Sequence, residues 1–227
     1  METNRFTRRS SLARFGGLVA AAAGGRVLLA DKAEGGNKAV ESGAVACVLT
    51  PELTEGPYYI AGEKLRRDVR EGHPGTLLTL NLKVLDASTC KPLKGAAVEI
   101  WHADAAGDYS GFGGGASSRT FLRGVQKTDA AGLAVFKTIY PGWYQGRAVH
   151  IHVKVHVGGS VVHTGQLFFP DATTAIAYKI APYTSRPGPD MKNAQDSIFV
   201  NGGKRSMLAV RRSGASWVGS ISMGVHA

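Results

Sequence analysis

No apolar run in these 227 residues approaches the roughly 20 residues that a membrane-spanning helix needs. Cysteine is scarce, with Cys47 and Cys90 the two in the chain. Acidic residues are outnumbered, 17 Asp and Glu against 27 Lys and Arg, for a net charge of +10. The basic residues form no cluster interleaved with aromatics, and no zinc-finger or RNP-like motif occurs, so the charge is not read as a nucleic-acid footprint. A positive surface can equally steer anionic small molecules. No internal repeat is visible either.

What is present begins with "TRRSSLARFGGLVAAAAGG", where paired Arg8 and Arg9 precede a short apolar stretch, Phe15 to Ala23. A basic n-region before a short h-region predicts a secretory signal over residues 1–33, and the arginine pair points to the bacterial twin-arginine (Tat) machinery. Export would place the protein in the periplasm or outside the cell, with no transmembrane span in the mature chain. Without residues 1–33, which hold six basic and two acidic side chains, the net charge falls to +6. Residues 34–46, "EGGNKAVESGAVA", lack periodicity and read as a flexible leader. In an exported protein an even pair of cysteines favours a Cys47–Cys90 disulfide; two buried thiols are the alternative.

Residues 47–227 read as one domain, long enough for a substantial core. From residue 76 the pattern is β: "TLLTLNLKVLD", "AAVEIWHA", "FLRGVQ", "LAVFKTIY", "AVHIHVKVHV" and "SVVHTGQLFF" are separated by turn residues. "SIFVNGG" and "SMLAVRRSGASWVGSISMGV" suggest a hairpin-rich end, and "TTAIAYKIAPYT" (173–184) a short helix. Many short strands at regular spacing predict an all-β fold, a β-sandwich of mostly antiparallel strands with long loops.

"GRAVHIHVKV" carries the chemistry. Val149, Ile151, Val153 and Val155 alternate with His150, His152 and Lys154, so both histidines share a strand face and can converge on one ion. A solvated strand face is the competing reading, since Lys154 and His156 continue the series. No Glu or Asp stands nearby to complete a facial triad or a zinc site. A metal here would need phenolates, hard anionic oxygens that suit ferric iron better than zinc or copper(I). Tyr109 lies in a Gly-rich loop after a strand, Tyr144 in a tight turn, and Arg147 three residues before His150.

In order along the chain, "LTPELTEGPYY", "GAAVEIWHADAAGDYSGF", "FLRGVQKTDAAG", "TIYPGWYQGRAVHIHVKV" and the Gln of "HTGQLFF" resemble the intradiol ring-cleavage dioxygenases, the family of protocatechuate 3,4-dioxygenase and catechol 1,2-dioxygenase. The resemblance covers residues 47–221. It implies a non-haem Fe(III) held by Tyr109, Tyr144, His150 and His152 in a β-sandwich, with Arg147 beside the substrate and Gln166 completing that polar wall. It also implies a small aromatic diol and O2 as reactants and a muconate-type diacid as product. Tyr58 and Tyr59 would line the pocket, with packing the alternative for at least one of them. Tyr140 is not the ligand, His102 is structural, and His73, His156, His163 and His226 have no motif behind them.

The chain departs from its family in two places. Only five residues separate Tyr144 from His150, fewer than in catechol and protocatechuate enzymes, and no counterpart of the catechol enzymes' helical N-terminal domain is seen. The shortened loop sets the substrate apart from those of the catechol and protocatechuate enzymes, and what remains resembles the exported, single-domain branch. Two other readings stand beside this one: a non-catalytic β-sandwich binding module, and a copper or zinc enzyme using His150 and His152.

Overall fold

Alternation at period two carries the architecture. In the computed structural model, which describes residues 48–227, strand β1 (Leu77–Asp86) buries Leu78, Leu80, Leu82 and Val84 and turns Leu77, Thr79, Asn81 and Lys83 the other way. Successive strand side chains point to opposite faces, so one sheet face becomes apolar and must be covered. The cover is a second sheet built on the same pattern. Strands β2 (Ala97–Trp101), β3 (Arg123–Lys127), β4 (Leu133–Ile139), β5 (His150–Val157), β6 (Ser160–Phe168), β7 (Ala209–Ser213) and β8 (Ser216–Val225) complete the set. They form two four-stranded sheets, ordered β4-β1-β8-β7 and β3-β2-β5-β6. Neighbours are antiparallel except β1 and β8, which run parallel.

Leu80, Leu82, Phe136 and Ile221 from the first sheet meet Ile100, Ile151, Val153 and Leu167 from the second in one buried cluster. The expected all-β sandwich is therefore the fold. Helix is confined to short pieces, among them α1 (Asp171–Ala177) and α2 (Ser197–Val200). The helix expected over 173–184 starts earlier and stops at Ala177. "SIFVNGG", expected to extend a hairpin, is instead helical at Ser197–Val200, because the Asp196 carboxylate caps it by accepting from the Ile198 and Phe199 N–H groups. The hairpin itself is β7–β8, turning through Gly214 at φ 61°.

An antiparallel sheet usually leaves one face to water. Here β5 is buried on both faces from His150 to Val155. The chain ahead of β1 runs across that outer face, strand by strand. Leu53 donates its N–H to Thr164 O on β6 at 2.9 Å. Glu55 pairs with Lys154 on β5, Tyr59 packs on Trp101 of β2 with ring centroids 5.1 Å apart, and Arg66 donates its N–H to Val125 O on β3 at 2.9 Å. This strap overturns the solvated-face reading of the histidine strand. Polar groups beneath it have lost water and must find other partners.

The expected signal (1–33), the leader (34–46) and Cys47 lie outside the described residues. Cys90 is held in a disulfide. No helix among the described residues is long and apolar enough to cross a membrane.

Candidate metal centre

Strand register brings the first donors together. His150 and His152 lie on β5, and His152 is directly opposite Gln166 on β6 and Trp101 on β2. Cross-strand partners share a face, so the indole lies flat against the His152 imidazole, centroids 4.9 Å apart and planes within 5°. The loop following β2 supplies Tyr109, and the loop between β4 and β5 supplies Tyr144 and Arg147.

Hydrogen bonds define which atoms are free. The His150 Nδ1–H donates to the Ala148 carbonyl at 2.6 Å, which leaves Nε2 as a lone pair. That Nε2 lies 3.1 Å from His152 Nε2 and 3.2 Å from the Tyr144 hydroxyl. The Tyr109 hydroxyl and His152 Nδ1 are buried without a hydrogen-bond partner. The Tyr109 ring meets those of Tyr144 and His152 at 5.7 and 6.1 Å. Two imidazole nitrogens face to face, beside an orphaned phenol, leave a polar group unsatisfied in either tautomer of His152. A cation among them would satisfy the two facing Nε2 atoms and the Tyr109 oxygen.

The electrostatics point the same way. Burial, then the Arg147 charge, lowers the His150 pKa to about 3. Burial and His150 hold His152 well below its ordinary range. Both rings are therefore neutral near pH 7, the form that ligates. Burial and the adjacent Tyr144 push Tyr109 well above the usual phenol value, and burial also raises Tyr144, against the pull of Arg147. With no cation both would stay phenols, whereas a bound metal ion would drive the protons off.

Arg147 is spread over three partners. Its Nε donates to Asp196 Oδ2 at 2.9 Å, its Nη1 to the Tyr144 hydroxyl at 3.2 Å and its Nη2 to Gln166 Oε1. Fully buried Gln166 turns its Nε2 to the Thr54 carbonyl at 2.9 Å, tying this wall to the strap.

The two strap tyrosines part company. Tyr58 stacks on Tyr109 at 4.2 Å and meets Tyr144 edge-on at 5.7 Å, so it covers both phenols. Tyr59 packs instead on Trp101, donates to Glu99 at 3.4 Å and lies under the Lys154 ammonium. Burial and the nearby Glu99 push its pKa up to about 12. Tyr140 is a core residue whose hydroxyl meets Thr174 at 2.9 Å. His102 is fully buried and bonded to Thr138 and the Ala103 carbonyl, at 2.6 and 2.8 Å. His156 bonds Glu99 at 3.2 Å.

Four features escape a reading of the sequence. Trp101 fixes the His152 plane. Gly56, at φ +72°, lies so close that a Cβ there would be 3.1 Å from His152 Cε1. Buried Arg123 donates to the Ser110 carbonyl and hydroxyl and, at 2.7 Å, to the Tyr58 carbonyl, stapling the Tyr109 loop to the strap. Asp196, 49 residues beyond Arg147, anchors that guanidinium. For Asp196 a signal existed, an acidic residue ahead of the apolar "SIFV", as at a helix N-cap. Nothing local shows what else it holds.

The profile of the Dioxygenase_C family, described as dioxygenase, matches residues 54–186. Catechol 1,2-dioxygenase 1 of Acinetobacter lwoffii is 38% identical over 125 residues, which is 52% of this chain and 37% of that protein. The chain thus spans little more than a third of that curated relative, and 35% of a second catechol 1,2-dioxygenase from the same organism. Among solved structures, an intradiol ring-cleavage dioxygenase from Tetranychus urticae superposes with a TM-score of 0.76 at 36% identity, over 79% of this chain and 95% of that one. The dioxygenase domain of a dioxygenase and carbohydrate-binding fusion from Streptomyces sp. SirexAA-E gives 0.60 at 30% identity, over 78% and 97%.

Proposed function

The chain belongs to the intradiol ring-cleavage dioxygenase family, and from that premise we propose that it binds ferric iron through Tyr109, Tyr144, His150 and His152. Its reaction is the cleavage of a catechol-type ring between the two hydroxylated carbons, with both atoms of O2 entering a muconate-type diacid. One observation carries the reading: two neutral imidazole nitrogens 3.1 Å apart share a water-poor space with two phenols, one of them without a hydrogen-bond partner.

When bound, ferric iron would supply Lewis acidity that favours deprotonation of the phenols and of a diol. Around it, this chain's own groups have separate tasks. The Ala148 carbonyl keeps the His150 proton on Nδ1, and Trp101 holds the His152 ring in plane. Tyr109 is buried beneath Tyr58 and is the fixed phenolate. Tyr144 is partly exposed and accepts from Arg147, which suits its oxygen to take one proton from an arriving diol. The cationic Arg147 guanidinium stabilises negative charge that develops on the ring as oxygen adds. Gln166 keeps that guanidinium turned inward. Tyr58 and the strap exclude water from the reacting side.

Arg8, Arg9 and the apolar stretch after them support export by a twin-arginine route, which places the reaction in the periplasm or outside the cell.

The test is metal analysis, a visible spectrum and product analysis on one purified sample. Ferric phenolate charge transfer gives a reddish protein whose band shifts when a catechol is added, and oxygen uptake accompanies a ring opened between the hydroxyls. A colourless protein that takes up no iron after ferric reconstitution, or a ring opened beside the hydroxyls, would show the reading to be wrong.

A further inference from the structure

Arg147 needs holding. An arginine side chain has about 2 kcal/mol of rotamer entropy to lose, and this one is fixed on a loop of five residues between Tyr144 and His150. Two of its three partners, Tyr144 and Gln166, are polar groups of the site itself. The third, Asp196, is its charged partner and comes from the far side of the sequence.

The Asp196 side chain is 1% exposed, and both its oxygens are engaged. Oδ2 accepts from Arg147 Nε at 2.9 Å and from the Ala148 N–H at 3.0 Å. Oδ1 accepts from the Ile198 and Phe199 N–H groups at 2.8 and 3.4 Å. A carboxylate fixed by backbone at one end and by the following helix at the other cannot follow a wandering guanidinium. The guanidinium must come to it. Burial alone would raise this carboxyl, yet Arg147 and the backbone donors bring it below its ordinary range.

We propose that Asp196 is the positioning residue for Arg147: it sets where the guanidinium stands over the reacting ring, and it acts on turnover through Arg147. This rests on the role given to Arg147 above. Asp196 touches neither the ligand nitrogens nor the phenol oxygens. Its removal should therefore cost rate more than substrate binding, since a charge displaced by about 1 Å can lose roughly 100-fold.

The experiment is a double-mutant cycle on the iron-loaded full chain, with turnover expressed per bound iron. Asp196→Ser keeps a cap acceptor for α2 but is too short to reach Arg147. Asp196→Asn keeps the shape of the side chain and serves in its place should the serine variant not fold. The expected result is a fall in kcat of roughly 10- to 100-fold, a KM within about threefold, and almost no additional loss when the change is made on Arg147→Ala. Undiminished kcat per iron in the Asp196 variants, or the same fold-loss with and without Arg147, would overturn the inference while leaving the iron centre standing. An Arg147→Ala enzyme with normal kcat would instead remove the role of Arg147, and the inference with it.

Discussion

His150 and His152 stand two residues apart on β5 with their Nε2 atoms 3.1 Å from each other, while His150 donates its Nδ1 proton to Ala148 at 2.6 Å. Backbone geometry thus selects the tautomer of one imidazole and presents its lone pair to the other. Neighbouring lone pairs repel unless a proton or a cation lies between them, and burial keeps both rings neutral.

Single substitutions at the four donors should separate occupancy from colour. His150→Ala and His152→Ala each remove one nitrogen and should lose most of the bound iron, read by metal analysis after dialysis against a mild chelator. Tyr109→Phe and Tyr144→Phe keep ring packing and delete one phenolate, so the visible band should shift or weaken. Full iron and an unchanged spectrum in any of the four would exclude that residue as a ligand.

Gly56→Ala should loosen the strap. The position has φ +72°, and the new Cβ would press on His152 at 3.1 Å, while Trp101 stacks flat on that ring. A left-handed backbone with a side chain costs about 1–2 kcal/mol, before the crowding is added. Lower thermal stability together with faster iron loss to a chelator is the expected pair of effects. A variant matching the parent in both would show that the strap tolerates movement here.

His163→Leu should improve acid tolerance. This ring is buried on β6 with Nε2 unpartnered, and burial lowers its pKa to about 4. The unfolded chain, with an ordinary value near 6.5, binds the proton first as pH falls. Stability is therefore full above about pH 6.5 and declines towards pH 4, by about 2 kcal/mol at pH 5 from this group alone. Denaturant titrations at pH 5 and pH 8 should show a smaller difference for the leucine variant. An equal difference would mean that this imidazole does not titrate on unfolding.

Replacing Arg8 and Arg9 together by lysine should leave the precursor in the cytoplasm, measured by fractionation and immunoblotting. Export at the parental level would rule out the twin-arginine route.

The amino-acid sequence by itself was enough for the sandwich and for the histidine pair. Both rest on period-two alternation, a property of neighbouring residues that survives without knowledge of the rest of the chain. The tyrosines, Arg147 and Gln166 were legible because ordered motifs carried a family resemblance, not because local chemistry demanded them. Tertiary structure decided whether the histidine face was wet or dry, since that depends on where residues 53–66 cross the second sheet. It also separated Tyr58 from Tyr59, two adjacent residues with opposite surroundings. It made Asp196 a partner of Arg147 across 49 residues and turned an apolar "SIFV" from strand to helix through one capping carboxylate. Such pairings are set by which distant segments bury each other, and no short-range pattern in the chain records that choice.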